Sequence, residues 1–77
     1  MTPFIRLHPA DDVVIARSQL VGGAAIENFT VRGLVPAGHK IAAHAIAQGA
    51  PVRRYNQIIG FASKPIAQGE HVHTHNL

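Results

Sequence analysis

The chain contains no cysteine and no tryptophan, and its 77 residues include only three phenylalanines and one tyrosine. The absence of cysteine excludes disulfide bonds and the closed thiolate sites that hold structural zinc. Charged residues make up only 14% of the chain, whereas an ordinary soluble domain has about 25%. A domain of this size buries only about 60% of the surface of its unfolded chain. We therefore expect a metal ion or another protein chain to help stabilise it.

The features that indicate nucleic-acid or membrane binding are also scarce. The net charge is +3, but Arg53 and Arg54 are the only adjacent basic residues. A nucleic-acid surface needs a basic stripe with exposed aromatic side chains, so we expect no nucleic-acid partner. No apolar run approaches the ~20 residues that span a bilayer, and the amino end shows no basic segment followed by an apolar run. We expect a cytoplasmic protein without a membrane partner.

Strands are predicted where apolar or β-branched segments end at turn residues. These segments are residues 4–8, 13–16, 29–32 and 52–55. Residues 39–47 contain helix-favouring alanines, but turn residues on both sides favour a strand. Residues 57–62 fit a strand or a helical turn, residues 24–28 are ambiguous, and Ser18 could cap one helical turn. The sequence therefore predicts a mainly β domain with at most one or two short helical turns.

A short motif occurs twice in the second half of the chain. Residues 46–49 and 66–69 both read Ile-Ala-Gln-Gly, and each copy is followed after two residues by valine. The motif predicts a tight turn that leads into a strand. A solenoid repeat would have a period of about 20 residues or more over several copies. We therefore interpret the motif as one local turn used twice.

Three of the six histidines alternate near the end of the chain, at His71, His73 and His75. Side chains two apart on a strand point to one face, about 6.6–6.8 Å apart, whereas in a helix they would spread around the axis. Such imidazoles can bind one metal ion. Without cysteine, we expect an open site that keeps a position for water or substrate. The alternative is a polar edge strand or a frayed terminus.

His39 and Lys40 follow the turn residue Gly38 and form a second candidate group. A histidine can act as an acid or base near neutral pH, and a lysine leaving a tight turn can contact an anionic substrate. The alternative is a solvated loop pair. Other polar residues are given structural or surface roles: a packed His44, a structural His8, a solvated Asp11-Asp12 turn, and Arg53-Arg54, which could bind a carboxylate or face a partner or solvent.

Several segments, taken in order and spacing, resemble a known family. They are residues 12–16, 35–42 (Val-Pro-Ala-Gly-His-Lys-Ile-Ala), 46–52, 55, 59–60 and 69–76 (Gly-Glu-His-Val-His-Thr-His-Asn). Over nearly its whole length the chain resembles the SAF-type domain at the amino end of altronate and galactarate dehydratases. The same domain is found as the separate small subunit of sulfolactate sulfo-lyase. The chain departs from the pattern at Asp11-Asp12, where members often have Asp-Asn, and residues 24–30 match nothing in it.

The resemblance implies a single β-clip domain over residues 1–77. It also implies a small subunit, or an excised domain, that works in an oligomer beside a large catalytic chain. The enzyme would be a lyase that eliminates water or sulfite from a hydroxylated acid. Such enzymes are often iron-dependent, so we expect a divalent metal, with iron(II) as one candidate.

Site residues are assigned from the alternating terminal histidines and the resemblance together. His73 and His75 are expected to contact the metal, and His39 and Lys40 to have catalytic roles. Lys40, His71 and Asn76 are expected to contact the hydroxy-acid substrate. The competing interpretations are a SAF module that binds a sugar acid or an acidic protein without catalysis, and a purely structural subunit.

Overall fold

The computed structural model describes residues 2–77, which contain eight short strands and no helix. The strands are β1 (Phe4–Ile5), β2 (Val13–Ala16), β3 (Ala25–Ile26), β4 (Phe29–Thr30), β5 (Lys40–Ala42), β6 (Pro51–Arg54), β7 (Gln57–Phe61) and β8 (His71–Val72). The predicted mainly β class is confirmed. The helical turn predicted at Ser18 is a bend instead. The described residues include no helix long and apolar enough to cross a membrane.

A four-stranded antiparallel sheet in the order β1-β2-β5-β8 forms the centre of the fold. Val14 pairs with Ile41, and Val13 pairs with Ala42. Because neighbouring residues of a strand point to opposite faces, these two pairs lie on opposite sides of the sheet. Each side packs into its own apolar cluster. This double cover explains why β2 is apolar throughout instead of alternating with polar residues.

The hairpin of β6 and β7 is fastened to the sheet by two aspartates. Tyr55 and Asn56, each with a φ of 58°, form its two-residue turn. The Asp11 carboxylate accepts hydrogen bonds from the N–H groups of Tyr55 (2.8 Å) and Asn56 (2.7 Å). The Asp12 carboxylate accepts one from the N–H of Arg53 at 2.7 Å. Asp11 is only 3% exposed, so the prediction of a solvated Asp11-Asp12 turn is wrong.

One type of turn is used four times, at residues 21–24, 36–39, 47–50 and 67–70. In each turn the N–H of the fourth residue donates to the carbonyl of the first at 3.0–3.1 Å. The third residue is always glycine, with a φ between 82° and 92°, which is type II geometry. Each turn follows a residue of an isolated bridge, Leu20 with Val35 or Ile46 with Ile66. The Ile-Ala-Gln-Gly motif marks only two of the four copies.

Gly69, in the last of these turns, lies against the first half of the chain. A Cβ at this position would overlap the carbonyl oxygen of Thr30. The Gly69 N–H donates to Ala42 at 2.8 Å, and its carbonyl accepts from the N–H of Arg32 at 2.9 Å. The turn that leads into β8 is therefore held from both sides. At Gly49, in the matching turn, a Cβ would meet nothing within 4 Å.

Most predicted strands are longer than the observed ones. Val13–Ala16 agrees with the prediction, but residues 39–47 contain strand only at Lys40–Ala42. Residues 4–8 and 29–32 contain strand only at Phe4–Ile5 and Phe29–Thr30. The reason is that turns and isolated bridges redirect the chain after a few residues.

Candidate metal centre

The terminal histidines lie on a strand end and a turn. β8 ends at Val72, and residues 74–76 form a turn. The prediction that His71, His73 and His75 share one face of an extended strand is therefore wrong. Their side chains still converge, because the chain folds back: the ring centroid of His71 is 5.6 Å from that of His73 and 5.3 Å from that of His75.

His39 joins these rings because β5 and β8 pair with each other. His39 is the last residue of the turn before β5, and His71 comes directly after the turn before β8. His71 lies opposite Ile41, and His39, two residues before Ile41, points to the same side of the sheet. The ring centroid of His39 is 5.1 Å from that of His71 and 4.5 Å from that of His73.

The rings of His39, His71 and His73 form what we call the histidine triad. Within residues 2–77 it is the one group of three potential ligand residues that places a nitrogen of each within 4.8 Å of the others. Nδ1 of His39 and Nε2 of His71 are 2.9 Å apart and share a hydrogen bond. Two nitrogens bound about 2.1 Å from one ion are about 3.0 Å apart at a right angle and about 3.4 Å apart at the tetrahedral angle. The spacing of the His39 and His71 nitrogens therefore suits neighbouring ligands of one ion.

The protonation state of the triad also suits metal binding. Burial lowers the pKa of His71, and the neighbouring His39, His75 and His73 lower it further. The neutral imidazole, which is the form that binds metal, therefore persists to lower pH than in an isolated histidine. The triad contains no carboxylate. Three neutral ligands would leave both positive charge and coordination positions available to an anionic ligand.

His75 and Lys40 lie outside the triad. His75 is exposed at the turn beside the triad. Lys40 follows His39 in the chain, but it shares a face with Ala42 and so points to the other side of the sheet. Burial lowers the pKa of Lys40, and the positive charge of Arg54 lowers it further. The structure thus separates Lys40 from the rings to which its neighbour His39 belongs.

Asn76 is buried against the loop that carries His71 and His73 and is 0% exposed. Its Oδ1 accepts a hydrogen bond from the N–H of His73 at 3.0 Å. Its amide group donates to the carbonyl of His71 at 2.8 Å and to the carboxylate of Glu70 at 3.2 Å. All of these partners belong to the protein, and the predicted contact between Asn76 and substrate stays a prediction.

His44 was expected to be packed, and this is wrong, because its side chain is 54% exposed. Its Nε2 lies 2.7 Å from Oδ1 of Asp12, and its Nδ1 lies 2.8 Å from the carbonyl oxygen of Ala45. His39 was expected near the terminal histidines as a catalytic residue, and its place beside His71 and His73 as a potential metal ligand was missed. The available signal was that a histidine stands at or just after two glycine turns, in residues 36–39 and 67–71.

Comparison with known proteins gives a family match and several relatives. Residues 2–77 match the family described as the altronate/galactarate dehydratase SAF domain. The chain is 40% identical over 77 residues to altronate dehydratase of Escherichia coli strain K12, and this alignment covers 95% of this chain and 16% of that protein. It is 34% identical over 80 residues to altronate dehydratase of Bacillus subtilis strain 168, and this alignment covers 99% of this chain and 16% of that protein.

A third relative is shorter. The chain is 34% identical over 83 residues to (2R)-sulfolactate sulfo-lyase subunit alpha of Chromohalobacter salexigens, with 92% of this chain and 88% of that protein covered. The chain therefore spans a small part of the dehydratases' length and most of the sulfo-lyase subunit.

Proposed function

Because the chain belongs to the altronate/galactarate dehydratase SAF domain family, we propose that it is the small subunit or small domain of a lyase. The proposed enzyme eliminates water or sulfite from a hydroxylated acid. Support comes from the relatives: the chain covers 16% of a dehydratase and 88% of a protein named as a subunit of a sulfo-lyase. A domain that occurs in both forms is expected to work together with the rest of the enzyme.

The observation that carries the proposal is the histidine triad on an open face. Residues 2–77 enclose no pocket beside it, and His39 and His71 are only half-buried. Sites for small molecules typically bury most of the ligand surface. A substrate at the triad therefore needs walls from another chain. We propose that the large catalytic chain supplies these walls and the remaining catalytic groups.

Strand β7 supports the presence of a covering chain. Ile58, Ile59 and Phe61 are 49%, 36% and 59% exposed, and within residues 2–77 β7 pairs with β6 alone. An uncharged, apolar edge strand is prone to pair with another chain. Leu77 lies against β7, since a Cβ on Gly60 would be 3.1 Å from its Cδ1. A chain that covers β7 would thus lie next to the loop that bears the triad.

We propose that the triad holds a divalent metal, with iron(II) as one candidate. Imidazole suits iron and zinc, and the 2.9 Å spacing of His39 Nδ1 and His71 Nε2 fits adjacent ligands. When bound, such an ion polarises an oxygen of the substrate and stabilises negative charge that develops there. His75, exposed beside the triad, is proposed to contact the ion or the substrate from the same side.

The proposed reaction is a β-elimination. A base removes the proton from the carbon next to the carboxylate, and the electron pair of the broken carbon–hydrogen bond forms a carbon–carbon double bond. Hydroxide or sulfite leaves from the next carbon with the bonding electrons. His39 Nδ1, beside Nε2 of His71, is the proposed ligand atom, and the other ring nitrogen of His39 stays available for a proton. Lys40, close to Arg54 on the other face, is proposed to attract an anionic group of the substrate or an acidic segment of the large chain.

The test is purification of the tagged chain from its own host, with identification of any large chain that accompanies it. The complex is assayed for lyase activity on altronate and on (2R)-sulfolactate, and its metal content is measured. We expect activity only in the complex, and we expect His73→Ala to lower both activity and bound metal. His44→Ala, which removes an exposed imidazole outside the triad, is the matched control.

Activity of the small chain alone would contradict a subunit role. A complex that assembles with His73→Ala and keeps full activity and metal would favour a structural role.

A further inference from the structure

The loop that carries His71 and His73 is tied together by two polar side chains, Glu70 and Asn76. We propose that this pair is the positioning element of the triad: it fixes the backbone from which two of the three ligands project. The inference rests on the proposed metal site and assigns a role to residues that do not touch the metal.

Asn76 is placed to control both ligands at once. Its Oδ1 accepts the hydrogen bond of the His73 N–H, and its amide group donates to the His71 carbonyl. The side chain therefore spans the loop between the two ligand residues. The backbone of Asn76 reinforces this arrangement, because its N–H donates to the His73 carbonyl at 3.1 Å and its carbonyl accepts from the N–H of Ser63 at 3.0 Å.

Glu70 connects this arrangement to the glycine turn before β8. One oxygen of its carboxylate accepts from the N–H of Ala67 at 2.9 Å, across the turn. The other oxygen accepts from the amide of Asn76 at 3.2 Å. The chain from Ala67 to Asn76 is thus closed by side-chain bonds at both ends. Rotation of the loop would break several of them together.

The chemistry of the loop requires an amide at position 76. The side chain must accept one hydrogen bond and donate two, and asparagine offers these groups within one short side chain. An aspartate would set a second carboxylate oxygen against Glu70 and against the His71 carbonyl. Burial makes such a mismatch costly, because Asn76 has no access to water.

The experiment uses the full chain without a tag, Zn²⁺ as the probe, and the variant Asn76→Asp. Replacing a group that orients a metal ligand typically lowers metal affinity about 10–100-fold, so we expect Asn76→Asp to lower Zn²⁺ affinity by about that factor. Asp11→Asn is the matched control, because Asp11 is also buried and also holds two partners, but at the hairpin turn. It should lower stability to urea and leave the Zn²⁺ affinity of the folded protein unchanged. Equal affinity losses in the two variants, or a change below about twofold in Asn76→Asp, would overturn the proposal.

The double variant Glu70→Gln with Asn76→Asp tests the pair itself. The glutamine can accept from Ala67 and donate to the aspartate, so the bond between the two side chains returns with its direction reversed. We expect a Zn²⁺ affinity between those of the single variant and the unmodified chain. A double variant no better than Asn76→Asp would contradict the part assigned to Glu70. Should Asn76→Asp fail to fold, Glu70→Gln, at a half-buried position, is the substitute, with the same expected loss.

A readout without metal separates this inference from the proposed function. Proton NMR contacts between the His39 and His71 rings, which are 5.1 Å apart at their centroids, should weaken in Asn76→Asp and persist in Asp11→Asn. If the unmodified chain binds no Zn²⁺ but these ring contacts change as expected, the metal site fails and the positioning role stands. Unchanged ring contacts in Asn76→Asp would overturn the positioning role whatever the metal does.

Discussion

Replacing Gly69 by alanine should destabilise the fold far more than replacing Gly49, although both glycines end the same Ile-Ala-Gln-Gly motif. Their φ values are 86° and 82°, so each alanine incurs the left-handed backbone cost of about 1–2 kcal/mol. Each alanine also restricts the unfolded chain, which offsets about 0.4–1 kcal/mol. Because a Cβ on Gly49 meets no atom within 4 Å, we expect Gly49→Ala to cost about 1 kcal/mol.

Gly69→Ala adds a steric conflict to this backbone cost. Its Cβ would overlap the Thr30 carbonyl oxygen, so the turn must move and weaken the hydrogen bonds to Ala42 and from Arg32. Overpacking costs about 1–3 kcal/mol, and each weakened hydrogen bond up to about 0.5–1.5 kcal/mol. We expect a total of about 3–5 kcal/mol, out of the roughly 4–12 kcal/mol typical of a domain this size.

Urea unfolding followed by far-UV circular dichroism measures both variants, since the chain has no tryptophan to report by fluorescence. The two losses should differ by about 2 kcal/mol or more. Losses that agree within about 0.5 kcal/mol would refute the close approach of Gly69 to Thr30.

Three further substitutions test separate parts of the structure. Glu27→Gln removes the partner of the Arg6 guanidinium, two bonds of 2.8 Å, and should cost about 0.5–1 kcal/mol at neutral pH. Because the hydrogen-bonded Arg6 guanidinium holds the pKa of Glu27 below its ordinary value, the advantage of the unmodified chain is lost as pH falls through that lowered pKa, which thermal unfolding at neutral and acid pH will show. Asp11→Asn sets an amide against the backbone N–H groups of the hairpin turn, so we expect a loss of about 1–3 kcal/mol and faster hydrogen exchange there. Lys40→Met should not weaken Zn²⁺ binding, because the positive charge of Lys40, which lowers the pKa of His71, would also repel a cation at the triad. It should not lower the melting temperature at neutral pH, because the lowered pKa of Lys40 means that its charged form is disfavoured in the fold. The unmodified chain should gain stability as alkaline pH relieves that penalty, and the variant should not.

The parts of the fold that the sequence predicted correctly depend on local pattern. The strand Val13–Ala16 was predicted because all four of its residues are apolar or β-branched. The two Ile-Ala-Gln-Gly turns were predicted because their letters repeat. The turn at residues 36–39 was predicted from Pro36 and Gly38, whereas the turn at residues 21–24, which has the same geometry, was predicted only as a connection that contains glycines.

The parts that were predicted wrongly depend on partners far away in the chain. Asp11 was expected in solvent because its neighbours form a turn, but its carboxylate binds Tyr55 and Asn56, which lie 44 and 45 positions away. Residues 39–47 were expected to be one strand, but β5 ends at Ala42. Pairing across the sheet decides these outcomes, and local propensity does not encode it.

The prediction of the candidate site was incomplete because the site depends both on a turn and on pairing between distant strands. Convergence of the terminal histidines was predicted from a strand with period two, and the rings converge through a turn instead. The approach of His39 depends on β5 pairing with β8, which connects residues 32 positions apart. No spacing rule along the chain could have predicted that His39 and His71 would share a hydrogen bond.

The central claim is that His39, His71 and His73 together hold one divalent metal ion. Calorimetric titration of the untagged chain with Zn²⁺, with His39→Ala, His71→Ala, His73→Ala and His44→Ala measured in parallel, tests it most directly. We predict one ion bound per chain, loss of that binding in each of the three triad variants, and unchanged binding in His44→Ala. Absence of binding by the unmodified chain, or binding that survives removal of any triad histidine, would contradict the claim.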